Sequence, residues 1–303
     1  MQAWGRTSLI MKRQDKIKSF GFFNIDKPSG LTSSAVVNKC KWLTGTPCGH
    51  LGTLDPLASG VLPVGVGNAT RLFDYFLEKE KEYIAEFTFG VTSDTLDSTG
   101  ERIPGGGIPT ENEIKSVLSS LVGEVWQMPP KYSAKSVNGR RGYELARAGI
   151  AFELKPKLVK IYNIELLGKT ENENAFAFKI NCGGGTYIRS IARDLAEKLE
   201  TNALMSALRR TKSGVFTLEN AIPFSLLDED LSAEELEKYL IPTESVLPFE
   251  RLILTEQNAV KIFNGLAVES GQSDGLYKLY KDGLFYGIAE VKNGKAKAKT
   301  KLC

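Results

Sequence analysis

Histidine is almost absent from this sequence: His50 is the only one in 303 residues. That excludes zinc sites built on several imidazoles, and any Ser-His-Asp triad would have to use His50. The four cysteines, Cys40, Cys48, Cys182 and Cys303, include no pair at CxxC spacing. No metal site is therefore expected, and the cysteine usage suits a reducing cytoplasm. No apolar run approaches the length needed to cross a bilayer, so no membrane-spanning helix is expected. Neither a P-loop nor a dinucleotide fingerprint occurs, and no cofactor is expected. Net charge is only +3, so composition alone does not announce a nucleic-acid partner.

What is present fits a globular protein. The hydrophobic fraction is 42% and the charged fraction 25%, with length enough for one large domain and a small one. Charge is unevenly placed. Between Lys131 and Ile150, five cations (Lys131, Lys135, Arg140, Arg141, Arg147) face one acid, Glu144. A local basic patch of this kind is the footprint of a phosphate-binding surface. The tail from Lys292 adds Lys295, Lys297, Lys299 and Lys301, which read more simply as a solvated face. Residues 1–19 are basic without an apolar signal core, and are expected to be a disordered extension; Met11 offers a second start.

The most informative stretch runs from Gly49 to Val64, GHLGTLDPLASGVLPV. Gly49, Gly52 and Gly60 punctuate it, and Pro56 biases Asp55 away from helix. Asp55 is thus expected on a tight loop ahead of a buried strand around Val61–Val66. On the loop alone, the plainer role for Asp55 is to accept backbone hydrogen bonds in an Asx turn.

Elsewhere, Gly21–Ile25 reads as a strand, and a helix capped by Thr32 or Ser33 presents Val36, Val37, Cys40 and Leu43. Ala69–Leu77 reads as a short helix. Lys81–Phe89 alternates strictly, with Tyr83, Ala85, Phe87 and Phe89 on one face. Tyr83 by itself is a core aromatic. A helix is expected over Glu111–Leu121, and strands over Leu158–Leu167 and Ala175–Cys182. Gly183–Gly185 makes a tight turn into a helix ending near Leu199. The acidic Leu226–Leu240 stretch reads as helical, and Ile241–Pro242 with Leu247–Pro248 as a linker. Beyond Phe249 come an apolar strand, a helix over Glu256–Phe263, and strands over Leu276–Tyr280 and Leu284–Ala289.

The Gly49–Gly60 run closely resembles the catalytic motif of the TruB family of RNA pseudouridine synthases. Further motifs resemble that family in the same order: Asp26-Lys27-Pro28-Ser29-Gly30, the Lys81-Glu82-Tyr83 segment, Gln127-Met128-Pro129-Pro130-Lys131-Tyr132-Ser133-Ala134, Gly185-Thr186-Tyr187-Ile188-Arg189 and Leu208-Arg209-Arg210. Two departures stand out. Leu51 occupies a position usually held by threonine, with a small expected effect on His50. Ser136 stands where many members have lysine, with Lys135 one place earlier.

The resemblance implies an α+β pseudouridine synthase fold: a mixed, mainly antiparallel sheet flanked by helices over residues 20–248, with a thumb loop at about 129–150. A small β-rich, PUA-like RNA-binding domain is expected over residues 249–303. The implied reaction is conversion of uridine to pseudouridine at position 55 in the T-loop of tRNA, by base flipping and without cofactor. Asp55 would be the nucleophile and Arg189 its ionic partner. Tyr83 would stack on the uracil and is a candidate base for the C5 proton. Tyr187 would line the pocket, and Leu208 would touch the flipped base, which an ordinary core leucine could also do. His50 would fill the space that the base vacates. Lys27 is expected to support the loop structurally. Lys131, Lys135, Arg140, Arg141, Arg209 and Arg210 are expected at the RNA surface. The implied partner is the tRNA T-arm, with a monomeric, cytoplasmic protein and no membrane or metal. A synthase acting on another RNA, or an RNA-folding protein with vestigial catalysis, are the competing readings.

Overall fold

The computed structural model describes residues 17–76, 79–133, 136–137 and 139–302. In chain order it begins with β1 (Gly21–Lys27) and α1 (Ser33–Thr44), then β2 (Cys48–His50), β3 (Ser59–Val66), a 3-10 helix (Gly67–Tyr75) and β4 (Lys81–Phe89). A small hairpin, β5 (Val91–Ser93) and β6 (Arg102–Pro104), precedes α2 (Glu111–Leu118) and β7 (Gly123–Gln127). The basic segment holds β8 (Ser136–Val137), β9 (Arg140–Arg141) and α3 (Gly142–Arg147). Then come β10 (Lys157–Lys169), β11 (Ala175–Cys182), α4 (Ile188–Lys198), β12 (Ala203–Ser213), β13 (Phe216–Thr217), β14 (Ile222–Pro223) and α5 (Ala233–Lys238). The C-terminal part contains β15 (Glu250–Ile253), α6 (Glu256–Phe263), β16 (Val268–Glu269), β17 (Gly275–Lys281), β18 (Leu284–Lys292) and β19 (Lys295–Lys301).

A ten-stranded sheet runs β14-β1-β3-β12-β4-β11-β10-β7, with β2 added to β3 and β13 to β12. It is mostly antiparallel; β3–β12 and β1–β14 are parallel. The architecture is α+β, as the sequence implies. In β4 the alternation predicted from the sequence is realised, since Tyr83, Ala85, Phe87 and Phe89 are all buried. Phe87 packs on Phe178 of β11 with ring centroids 4.8 Å apart. Fully burying such a side chain contributes about 2–3 kcal/mol. α1 closes this core with Val36, Val37, Cys40 and Leu43, its start capped by the Thr32 hydroxyl accepting from the Ala35 N–H. α4 buries Ile188, Ile191, Ala192 and Leu195 against the same core.

The parallel β3–β12 pairing matters for function because it brings two distant motifs together, Ser59 and Gly60 opposite Arg209 and Arg210. Gly60 has φ +100°, and a Cβ there would lie 2.2 Å from the Arg210 carbonyl oxygen, so only glycine permits this approach.

The second sheet runs β15-β17-β18-β19-β16 and is packed directly on the first. Phe22, Leu51, Val61, Phe76, Phe216, Leu247, Ile288 and Leu302 share one buried cluster. Asn68 donates to the Leu302 carbonyl at 2.7 Å, and the Tyr75 and Thr300 hydroxyls meet at 2.8 Å.

Several expectations change. Ile17 is buried, and the Lys18 and Ser19 amides donate to Glu237, so residues 17–19 are tied to the fold; residues 1–16 lie outside the described residues. The expected Ala69–Leu77 helix is a 3-10 helix, wound over Gly67–Tyr75, with Leu77 outside the described residues. Only Ala233–Lys238 of the acidic stretch is α-helical. Ile241 exchanges both backbone hydrogen bonds with Phe22, which extends the sheet edge where a linker was expected. The lysine-rich tail forms β19, because Ala296 and Ala298 alternate with its lysines and Ala296 is buried.

Candidate active site

The Asp55 loop is held from below. The Lys27 ammonium, fully buried, donates to the carbonyls of Leu31 at 2.7 Å, Pro28 at 2.9 Å and Pro56 at 3.5 Å. Burial outweighs the nearby Asp55 charge and lowers the Lys27 pKa to about 8. Ser33 of α1 bonds both the N–H and the carbonyl of Leu54. The loop backbone is thereby fixed on both sides of the carboxylate. The Asp55 carbonyl accepts from the Ala58 N–H at 3.0 Å. The side chain, however, accepts from an arginine, which displaces the Asx-turn reading.

That arginine is Arg189, at the start of α4 and 5% exposed. Its Nε lies 2.9 Å from Asp55 Oδ2. Nη1 donates to the Thr95 carbonyl at 2.9 Å and stands 3.5 Å from Asp97 Oδ2, while Nη2 donates to the Tyr132 carbonyl at 3.0 Å. A buried guanidinium is costly without partners, and here every nitrogen has one. Asp97 is itself fixed: its Oδ1 accepts from the Thr95 hydroxyl at 2.8 Å and the Thr99 N–H at 3.0 Å. Sequence reading missed Asp97. Its only signal was an acid in a Ser/Thr-rich loop, a common turn composition. The neighbouring Leu96 takes φ +60°, a left-handed conformation uncommon outside glycine.

A cavity of about 280 Å³ opens above this pair. His50, Asp55, Tyr83, Tyr187, Arg189 and Leu208, scattered over more than 150 positions, all line it. A larger open groove of about 650 Å³ beside Trp126 and Arg193 contains none of them. Tyr187 is held by Gln127, which accepts from its N–H at 2.8 Å and donates to its carbonyl at 3.1 Å. Gln127 thus joins the Pro-Pro motif to the α4 start, a role the sequence pattern did not disclose.

Electrostatics follow from burial. Desolvation raises the Asp55 pKa above the usual carboxylate range, with Arg189 opposing and Asp97 reinforcing the rise. Burial, then Arg210, lowers the His50 pKa, favouring a neutral imidazole; its Nδ1 is buried without a hydrogen-bond partner among the described residues. Burial pushes the Tyr83 hydroxyl up to about 12. Lys81, also lining the cavity, is lowered to about 8 by burial and then by Arg210.

The expected surface arginines divide. Arg209 is partly exposed and paired with Asp26 at 2.7 Å. Arg210 is 1% exposed, which corrects its expected place at the RNA surface. The two neighbours point to opposite faces of β12, and the inward face is the core. Lys131 and Arg140 are exposed; Lys135 lies outside the described residues, and Arg141 is placed by its backbone in β9. Leu51 is buried in the cluster between the two sheets, which gives the unusual leucine a packing role.

Residues 41–188 match the TruB family pseudouridylate synthase N-terminal domain. Residues 189–248 match the tRNA pseudouridylate synthase B C-terminal domain, and residues 251–300 the pseudouridine synthase II TruB C-terminal domain. The chain is 38% identical to a tRNA pseudouridine synthase B of Clostridium kluyveri over 283 residues, 90% of this chain and 96% of that one. The chain belongs to the TruB family of pseudouridine synthases. A second TruB-family relative, tRNA pseudouridine synthase B of Clostridium perfringens, is 40% identical over 89% of this chain and 94% of its own. Among solved structures, one of a Cbf5-Nop10-Gar1 complex matches with a TM-score of 0.69 and 27% identity, covering 94% of this chain and 85% of that one. For a TruB-family protein, the Asp55 cavity is therefore the site to which the isomerisation chemistry is assigned below.

Proposed function

We propose that this chain isomerises uridine to pseudouridine at position 55 in the T-loop of tRNA, with Asp55 as nucleophile and no cofactor. The observation that carries this reading is the Asp55 carboxylate, 34% exposed toward the cavity and bonded at 2.9 Å to a buried Arg189. The tRNA specificity is supported by the printed activity of the relatives, which match over nearly their whole length.

A uracil stacked in a loop is out of reach of this cavity and must leave its stack, at a cost of a few kcal/mol. Tyr83 and Leu208 offer apolar surface to the extruded base, and His50 stands at the entrance to occupy the gap. Asp55 must be ionised to attack, at ribose C1′ or uracil C6. Arg189 keeps it ionised against the desolvation that raises its pKa. The glycosidic bond then breaks, the base turns, and C5 bonds to C1′ with loss of the C5 proton. Substrate and product are isomers, so the overall change needs no redox partner. Exposed Lys131 and Arg140 are placed to hold phosphates.

Mapping pseudouridine in tRNA after treatment with the purified protein, by a mass-adding reagent selective for that base, tests the reading. Modification confined to the T-loop position is expected. Conversion only at other sites would overturn the specificity, and no conversion in any tRNA would overturn the reaction.

A further inference from the structure

Arg210 has no part in the reaction as described, yet it is the largest side chain in the interior. Its Nε donates to the Val61 carbonyl at 2.7 Å and Nη2 to the Gly52 carbonyl at 3.1 Å. It therefore joins β3 to the turn that precedes Asp55. Across the β12–β4 ladder it stands directly opposite Tyr83, and both line the cavity. The guanidinium lies beside the Tyr83 hydroxyl and interacts with it. Among the described residues no carboxylate forms an ion pair with it. A buried cation without a counter-charge is expensive, so a purely structural role would be served better by an uncharged residue.

Arginine has five N–H donors and no acceptor. At a phenol it can only donate, so the phenol oxygen must accept and its own proton must point elsewhere. Tyr83 is 6% exposed, and its hydroxyl has one open direction, the cavity. We propose that Arg210 is a positioning residue for Tyr83, fixing the hydroxyl so that its proton faces the cavity and is donated to an oxygen of the bound nucleoside. This rests on the reading of the cavity as a uridine site. It also gives the unneutralised cation a purpose: its field reaches the reacting nucleoside through one polarised hydroxyl, in a site largely closed to water. Tyr83 acts in this arrangement as a neutral donor. The strong upward push of burial on its pKa agrees with that role, and with the attached proton at neutral pH.

Single-turnover rates on T-arm RNA, with Arg210→Lys, Tyr83→Phe and both together, test the relay. Arg210→Lys keeps the charge and loses the fork that spans Gly52, Val61 and Tyr83. It is expected to slow conversion roughly 30-fold or more with tRNA affinity within about twofold. In the Tyr83→Phe background, the same change should cost no more than about threefold. An equal loss in both backgrounds would show that Arg210 only braces the loop, and would overturn the relay. Should the lysine variant fail to fold, the intact protein still decides. With tyrosines labelled at 13Cζ, the Tyr83 resonance should not titrate below pH of about 10, and a phenolate forming near neutrality would refute the donor role. A wild-type protein inactive on this RNA would count against the proposed function; the titration would then judge the relay separately.

Discussion

The Asp55 cavity and the Lys131–Arg147 segment both concentrate charge, and they do so in opposite ways. In the cavity, Arg189, Asp55 and Asp97 are locked by short bonds, with Arg189 and Asp97 almost wholly buried. In the basic segment, Lys131 and Arg140 are exposed, and β8 and β9 form a separate two-stranded sheet. Buried charges interact strongly but must be matched almost atom for atom. Exposed charges interact weakly one by one, yet release counterions when they meet a polyanion. The cavity is accordingly built for chemistry, and the segment for holding RNA. Substitutions in the two regions should therefore differ in kind: rate without affinity in the cavity, affinity and salt dependence in the segment.

The largest effect is expected from Asp55→Asn. It preserves shape and removes the nucleophile, so single-turnover conversion should fall by about 10⁴-fold or more, while tRNA affinity stays nearly intact. Conversion near the wild-type rate would remove Asp55 from its assigned role. An RNA-folding protein with vestigial catalysis would be indifferent to the change.

Arg189→Lys comes next. Lysine keeps the charge but cannot serve Asp55, Asp97, Thr95 and Tyr132 together. The chemical step should slow by about 10²–10³-fold, and unfolding free energy should drop by about 1–3 kcal/mol, read by denaturant titration. A variant with normal rate and stability would show that the network is not needed.

His50→Gln should be milder, losing less than about 10²-fold at saturating tRNA, because a general acid or base usually contributes at least that much. Its effect should fall partly on binding. A loss as large as that of Asp55→Asn would make His50 a proton-transfer group.

In the basic segment, replacing Arg140 and Arg141 together by alanine should weaken tRNA binding and reduce the log–log salt slope by about 1–2, without changing the rate of bound RNA. An unchanged slope would make this an ordinary solvated face.

The smallest effect is a displacement in the pH profile. Asp55 has a folded-state pKa above its unfolded value, because burial outweighs Arg189. The acid limb of the single-turnover rate should therefore lie above 3.8, the ordinary value for this carboxyl. The sign for stability follows: the folded state binds the extra proton, so this group's contribution falls as pH rises from 3.8 through its folded pKa. A limb at or below 3.8 would show that Arg189 wins.

Much of this was legible in the residue order. The alternation of Lys81–Phe89 set the face of Tyr83, and Ala175–Cys182 and Glu256–Phe263 were read with their observed ends, because strand and helix periods are local properties. The linear motifs named the family and assembled Asp55, Arg189, Tyr83, Tyr187, His50 and Leu208 as one set. What escaped was decided by neighbours far away in the chain. Arg210 looks like surface charge beside Arg209, and only the β12 pleat and the approach of Gly60 bury it. Asp97 sits in an unremarkable polar loop, and becomes part of the site because that loop folds against Arg189. The lysine-rich tail lacks strand propensity, and pairing with β18 makes it a strand. Sequence alone determined which residues carry the chemistry, since type and spacing encode that. Tertiary structure decided which charges are buried and whom they face, because burial and pairing depend on contacts between segments that no local pattern records.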